Sequence, residues 1–276
     1  MKKKVLVTVL TYPTPSDKYV ETVCTAGITE DGQWIRIYPI RLRLLKKSLH
    51  KYNWYCFDVD KRPADKDIRN ESYHSNGDPD CKSLEELGTE NHWEKRKKVC
   101  IESVPVYTSY SKLLDDANTR KEGFISLATF KPTKILDFFW IKRTDLEERK
   151  RRKEEILRNH REQGDLFEED LPEYWQMAEE VPYTFKYLFE DEDGRQSKLS
   201  IEDWEVFMLY RNCLEKGNTE EEALNKVKAK YFDDFKNRDL YFFMGTRNRD
   251  HRLNRPTPFS IIGVFYPPKV QQPSLF

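Results

Sequence analysis

Apolar and polar positions along this chain follow mostly a two-residue rhythm, with a few stretches of helical spacing among them. Residues 5–10, Val-Leu-Val-Thr-Val-Leu, form a short β-branched run, the pattern of a buried strand. Tyr12-Pro13-Thr14-Pro15-Ser16 breaks it. Residues 19–28 and 33–38 flank Glu30-Asp31-Gly32, and Asp-Gly between strand-like runs predicts a hairpin. Its second arm, Trp34-Ile35-Arg36-Ile37-Tyr38, mixes aromatic and β-branched residues with one arginine and ends at Pro39. A further strand is predicted over residues 52–59, so the first sixty residues or so read as a small, strongly twisted sheet or partial barrel. Residues 60–98 are polar and punctuated by Pro63, Gly77, Pro79 and Gly88. They predict a long loop with one short helix at 83–87. Beyond it, 99–107 reads as extended, 111–117 as a short helix and 134–140 as a strand.

Thr144-Asp145-Leu146-Glu147 is a capping-box pattern that opens a helix to about residue 163. Basic and acidic residues interleave along it and apolar ones are few, the mark of a solvated bridge. After Gly164 and an acidic stretch, residues 183–189 alternate as a strand. Residues 201–214 carry a broad apolar helical face, and Thr219-x-x-Glu222 caps a second helix to about residue 235. Residues 240–244 and 259–265 are strand-like and bracket a basic loop. The expectation is an α+β chain: an N-terminal twisted β-sheet or partial barrel (1–143), a charged helical bridge (144–180), a C-terminal β-sheet with two packed helices (181–268) and a tail (269–276).

Composition narrows the classes. Of 276 residues, 35% are charged, and Lys+Arg at 48 balance Asp+Glu at 48. That excludes a globally basic binder and confines nucleic-acid contact to local patches. Sixteen Phe, 15 Tyr and 6 Trp supply large apolar area, which suits a β-rich core. Five cysteines (Cys24, Cys56, Cys81, Cys100, Cys213) without a C-x-x-C pair argue against a disulfide framework or a ribbon-type zinc site. No run is long enough for a signal peptide or a membrane span, so a cytoplasmic protein without a membrane partner is expected.

Two basic segments carry the candidate chemistry. From Arg36 to Lys51 there is no acidic residue; Arg36, Arg41, Arg43, Lys46 and Lys47 lie there beside Tyr38, Tyr52 and Trp54. Basic residues interleaved with aromatics are what a phosphate backbone and stacked bases require. The loop at 247–255 holds Arg247, Arg249, Arg252 and Arg255 against one aspartate, and suits a phosphate or a displaced nucleotide. Arg69 and Glu71 in the polar loop offer an anion clamp and an acid or base. Cys24 is a nucleophile candidate or a small core residue. Asp203 beside Glu205 is a carboxylate pair or a helix cap. No metal set, cofactor loop or nuclease carboxylate–lysine set is visible, so no cofactor and no reaction are assigned.

Gln163-Gly164-Asp165-Leu166-Phe167 and the terminal Gln272-Pro273-Ser274-Leu275-Phe276 share the pattern Q-x-[S/D]-L-F. It resembles the pentapeptide by which bacterial DNA polymerases and mismatch-repair proteins dock on the DNA sliding clamp. The resemblance implies that Gln163, Leu166, Phe167, Gln272, Leu275 and Phe276 bind that partner, the amide at a pocket rim and the apolar pair in a cleft. Burying two such side chains is worth roughly 3–6 kcal/mol before ordering costs, a weak and exchangeable contact. Separately, residues 18–28 (KYVETVCTAGI), 34–39 (WIRIYP), Asp203-Trp204-Glu205, residues 239–246 (DLYFFMGT) and 259–268 (FSIIGVFYPP) resemble an uncharacterised family of bacterial and mobile-element proteins. The functional expectation is a DNA-associated repair, modification or phage-defence factor recruited by the clamp. The alternatives are an enzyme acting on a nucleotide, base or DNA strand with a pocket near 69–73 and 245–255, and a purely protein-binding sensor.

Overall fold

The computed structural model describes residues 1–17, 20–41, 49–77, 80–162 and 177–269. Its first half is a closed barrel. Strands β1 (Lys2–Leu10), β3 (Val20–Thr29), β4 (Trp34–Arg41), β6 (Ser72–Ser75) and β5 (Asn53–Lys61) follow one another around the ring, and β5 closes back on β1. All neighbours are antiparallel except β4 and β6, which run parallel with Arg36 opposite Ser72. Two short additions, β2 (Thr14–Ser16) on β3 and β7 (Asp80–Glu86) on β5, lie outside the ring.

The β-branched density of β1 has a direct cause. Val5, Val7 and Leu10 point into the barrel with Ile35, Ile37, Tyr55, Phe57 and Val59, while Leu6 and Val9 point outward into a second apolar cluster. Both faces of the strand are therefore covered, and alternation is lost. Register shifts in β1 between Val7 and Val9 and in β3 between Val23 and Thr25 bend the sheet far enough to close. Gly27 allows the tight approach of β3 to β1, since a Cβ there would lie 2.2 Å from the Leu6 carbonyl oxygen. The hairpin between β3 and β4 turns through Gly32 at φ +75°.

The second half packs two sheets around an aromatic core. One has the order β14-β13-β9-β8, built from Phe259–Phe265, Tyr241–Thr246, Leu127–Phe130 and Val106–Tyr107; the other is β10-β11-β12, built from Lys134–Lys142, Tyr183–Glu190 and Gln196–Ser200. Phe138, Phe185, Tyr187, Phe189, Phe207 and Phe242 fill the space between them. The described α-helices are α1 (Glu90–Lys97), α2 (Tyr110–Asp116), α3 (Leu146–Glu162), α4 (Trp204–Glu215), α5 (Glu220–Lys228) and α6 (Asn248–Arg252). Asp203 caps α4 and a full Thr219–Glu222 capping box opens α5. The α+β expectation is met, with the N-terminal sheet closed into a five-stranded barrel.

The halves meet through Leu6, Val9, Ala26 and Trp54 of the barrel and Leu127, Phe243, Ile262 and Phe265 of the second half. Four readings from the sequence need correction. The stretch 60–98, expected as a long loop, carries barrel strand β6 and helix α1 as well as β7. The helix expected at 83–87 is strand β7, because its alternation pairs it with β5 across Asn53–Glu86 and Trp54–Glu85. The extended run expected at 99–107 begins as a π-helical turn, Lys98–Glu102, that buries Cys100 against the barrel. Helix α3 is more than a solvated bridge. Lys153 on its inner face is buried and bonds Glu21 of β3 at 2.9 Å and Glu180 at 2.8 Å, with Ile156 buried on the next turn.

Candidate nucleic-acid interface

The loop joining β5 to β6 (residues 62–71) meets the end of β13 and helix α6 at one edge of the barrel. Arg69 organises the junction. Its Nε and Nη2 grip Asp67 at 2.8 and 2.6 Å, while Nη1 donates to the Thr246 carbonyl at 2.5 Å. Burial raises the Asp67 carboxyl and the Arg69 fork lowers it more, leaving it at about 2. Next to this pair, Asn248 donates to the Lys66 carbonyl at 3.0 Å, and Arg252 to the carbonyls of Ala64 and Asp65 at 3.3 and 2.7 Å. The two segments singled out from sequence, 69–73 and 245–255, are thus stitched together across more than 170 residues.

Beneath the junction lies a buried relay. Glu71 accepts from the Ser126 N–H and hydroxyl, both at 2.8 Å. The Ser126 hydroxyl oxygen in turn accepts from Arg36 Nη1 at 2.9 Å, and Ser72 Oγ accepts from the same nitrogen at 3.2 Å. Arg36 is only 2% exposed, so it is an internal residue, not the surface phosphate contact expected for it. The reason lies in the barrel. Ile35 and Ile37 face inward, which turns Arg36 outward toward the second half, where Ser126 covers it. His251 completes the relay's floor: Nε2 donates to the Ala117 carbonyl at 2.6 Å, and Nδ1 accepts from the Thr246 hydroxyl at 3.0 Å. Burial lowers its pKa and keeps the ring neutral.

The outer rim differs in character. Lys66 is 70% exposed, Arg247 69% and Arg255 52%. Arg249 is exposed as well, and Asp250 sits between Arg247 and Arg255 at 3.5 and 3.2 Å. Lys66 also lies 3.8 Å from the exposed Asp65, so four cations face solvent around two carboxylates. Farther along β4, Tyr38 is half-buried. Arg62 stacks 5.6 Å from its ring centroid and donates to its carbonyl, and Thr22 donates to its hydroxyl. Tyr73 carries Lys3 and Lys61 at 5.3 and 5.0 Å.

The remaining candidates fall elsewhere. Cys24 is half-buried at the β3 irregularity, its N–H bonded to Thr11 Oγ1. Asp203 is fully buried as the α4 cap, and Lys51 bonds it at 2.6 and 2.9 Å. Burial raises its carboxyl to about 6 against the pull of Lys51. The pair joins the halves. The side chain of Arg41, and all of Arg43, Lys46, Lys47, Gln163, Leu166, Phe167, Gln272, Leu275 and Phe276, lie outside the described residues. Sequence reasoning missed Asp67, Ser126, Thr246 and His251. Each is a single polar residue with no spacing signal, and only folding brings them together. Among the described residues no group of His, Cys, Asp and Glu is placed to hold a metal ion, and no helix is long and apolar enough to cross a membrane.

Fold and rim define a class: a two-part α+β protein whose closed barrel abuts a basic loop junction. Residues 106–276 match a family described as Domain of unknown function DUF8757, and the chain belongs to that family. Residues 1–102 match a second, Domain of unknown function DUF8758, so the two matches meet between 102 and 106. The search of curated proteins gave no match.

Proposed function

We propose that this protein is a DNA-associated repair, modification or defence factor of bacterial or mobile-element setting. In this reading it holds nucleic-acid phosphates on the rim formed by Lys66, Arg247, Arg249 and Arg255, and its QxxLF peptides tether it to the sliding clamp. The observation that carries the reading is the junction itself, where the loop between the fourth and fifth barrel strands is bonded to the arginine-rich segment after β13. The barrel adds support by analogy. Taken in chain order its strands run 1-2-3-5-4 and close on 1, with the third and fifth parallel. That is the arrangement of OB-type barrels, which bind oligonucleotides on the face of strands 2 and 3 and the loop between strands 4 and 5. A shared topology is a warrant of fold, so function rests on the rim. Much of the strand 2–3 face is covered here, since Trp34 packs edge-on to Phe243 at 5.2 Å. Tyr38 and the 62–71 loop remain at its uncovered end.

Fluorescence anisotropy with a labelled twelve-nucleotide single strand and the matching duplex tests the rim. Arg247→Ala/Arg249→Ala/Arg255→Ala should weaken binding at least tenfold while the thermal midpoint stays in place; unchanged affinity removes the rim from the account. The tether is tested apart, by titrating purified clamp against the intact protein and a version lacking residues 272–276 and carrying Phe167→Ala. Equal binding by both, or binding by neither, ends the tether proposal.

A further inference from the structure

We propose that the free edge and outer face of the β10-β11-β12 sheet dock an extended segment of a partner protein, apolar at its centre and acidic at both flanks. β10 ends the sheet, and β11 is its one partner strand among the described residues. Its inner face is committed to the core, where Phe138 packs on Phe185, Tyr187 and Tyr231 at 5.9, 4.9 and 5.5 Å. Ile135 and Trp140 lean on the same cluster.

Among the described residues the other face has no such apolar cover. Phe139 stands opposite Lys186, Ile141 opposite Thr184 and Asp137 opposite Leu188, and cross-strand partners share a face. Phe139, Ile141 and Leu188 belong to none of the three apolar clusters, and Ile141 is 49% exposed. Folded proteins ordinarily shield a nine-residue edge strand of this kind, or give it a partner.

Charge selects the partner. Lys134 and Lys142 stand at the two ends of β10, and Lys186 and Lys198 carry the positive charge across β11 and β12. Asp137 on this face is already answered by Lys228 at 2.8 Å, and Glu190 stands opposite Lys134 in register. A second copy fits poorly. Antiparallel pairing of β10 with itself about Phe138 sets Lys134 against Lys142 at both ends, where like charges repel. Acidic flanks turn the same lysines into attraction. At the centre the Phe138 N–H is taken by Asp137 Oδ1 at 2.8 Å, so a fourth strand pairs with β10 on either side of that point.

The test uses the full chain and a fluorescein-labelled, end-capped peptide of sequence Glu-Glu-Val-Phe-Val-Ile-Glu-Glu. Saturable anisotropy is expected, weakened about tenfold by Ile141→Lys. Because that variant alters packing, the deciding protein is Lys134→Glu/Lys142→Glu/Lys186→Glu, which should lose the acidic peptide and gain its lysine-flanked counterpart. No saturable binding, equal binding of both peptides by both proteins, or a concentration-dependent dimer abolished by Ile141→Lys would overturn the proposal.

Discussion

Arg36 shows how a residue's surroundings decide its role. Its own sequence context, an acid-free basic run, suggests a surface cation, yet its strand neighbours force it against Ser126 and within reach of the charge on Glu71. A buried guanidinium left without its counter-charge is costly. Glu71→Ala also leaves the Ser126 N–H and hydroxyl without their acceptor and should destabilise the fold by about 1–3 kcal/mol in urea unfolding. Arg36→Met combined with Glu71→Gln should cost less than the sum of the single changes, because the charges leave together. His251 makes a pH prediction. Its folded pKa lies below the ordinary 6.5, so the unfolded chain binds the proton more readily. The stability this neutral ring contributes is complete above pH 6.5 and is lost as pH falls through the folded pKa. Thermal midpoints measured from pH 8 down to 5 should decline, and His251→Gln should flatten the decline; an equal slope in both proteins would exclude this histidine as the cause.

At the scale of elements, four strands of the barrel and the β13–β14 pair were legible because their patterns are local, while β6 lay inside a stretch read as loop. Asp31-Gly32 marks a hairpin, and the VLVTVL run at residues 5–10 marks a strand covered on both sides. What escaped depends on distant partners. β7 carries Leu84 among charges, with Leu87 just beyond it, and reads as a helix until β5 is alongside it. Helix α3 reads as solvated because its anchor is a lysine, and a lysine signals burial only when Glu21 and Glu180 surround it. Lys153→Met leaves two carboxylates facing each other and should destabilise by about 3–5 kcal/mol. Hydrogen exchange should quicken along α3 and the start of β3; exchange unchanged in both would mean that Ile156 and the Arg149–Glu180 pair suffice to hold the helix.

On the scale of the whole molecule, the junction of 69–73 with 245–255 was foreseeable as a pair of interesting segments, and the contact between them was a product of topology. The barrel carries one segment on the loop before its last strand, and the second half carries the other just after β13; the buried faces of β1 and β13 hold the two in register. Because the inner arginines are engaged by protein groups, the proposed nucleic-acid contact falls to the outer cations alone. The most direct test is the salt dependence of single-strand binding, plotted as log K against log salt for the wild type and the Arg247→Ala/Arg249→Ala/Arg255→Ala protein. Three lost phosphate contacts should make the slope shallower by about 2. Parallel lines, or no salt-dependent binding by the wild type, would contradict the account.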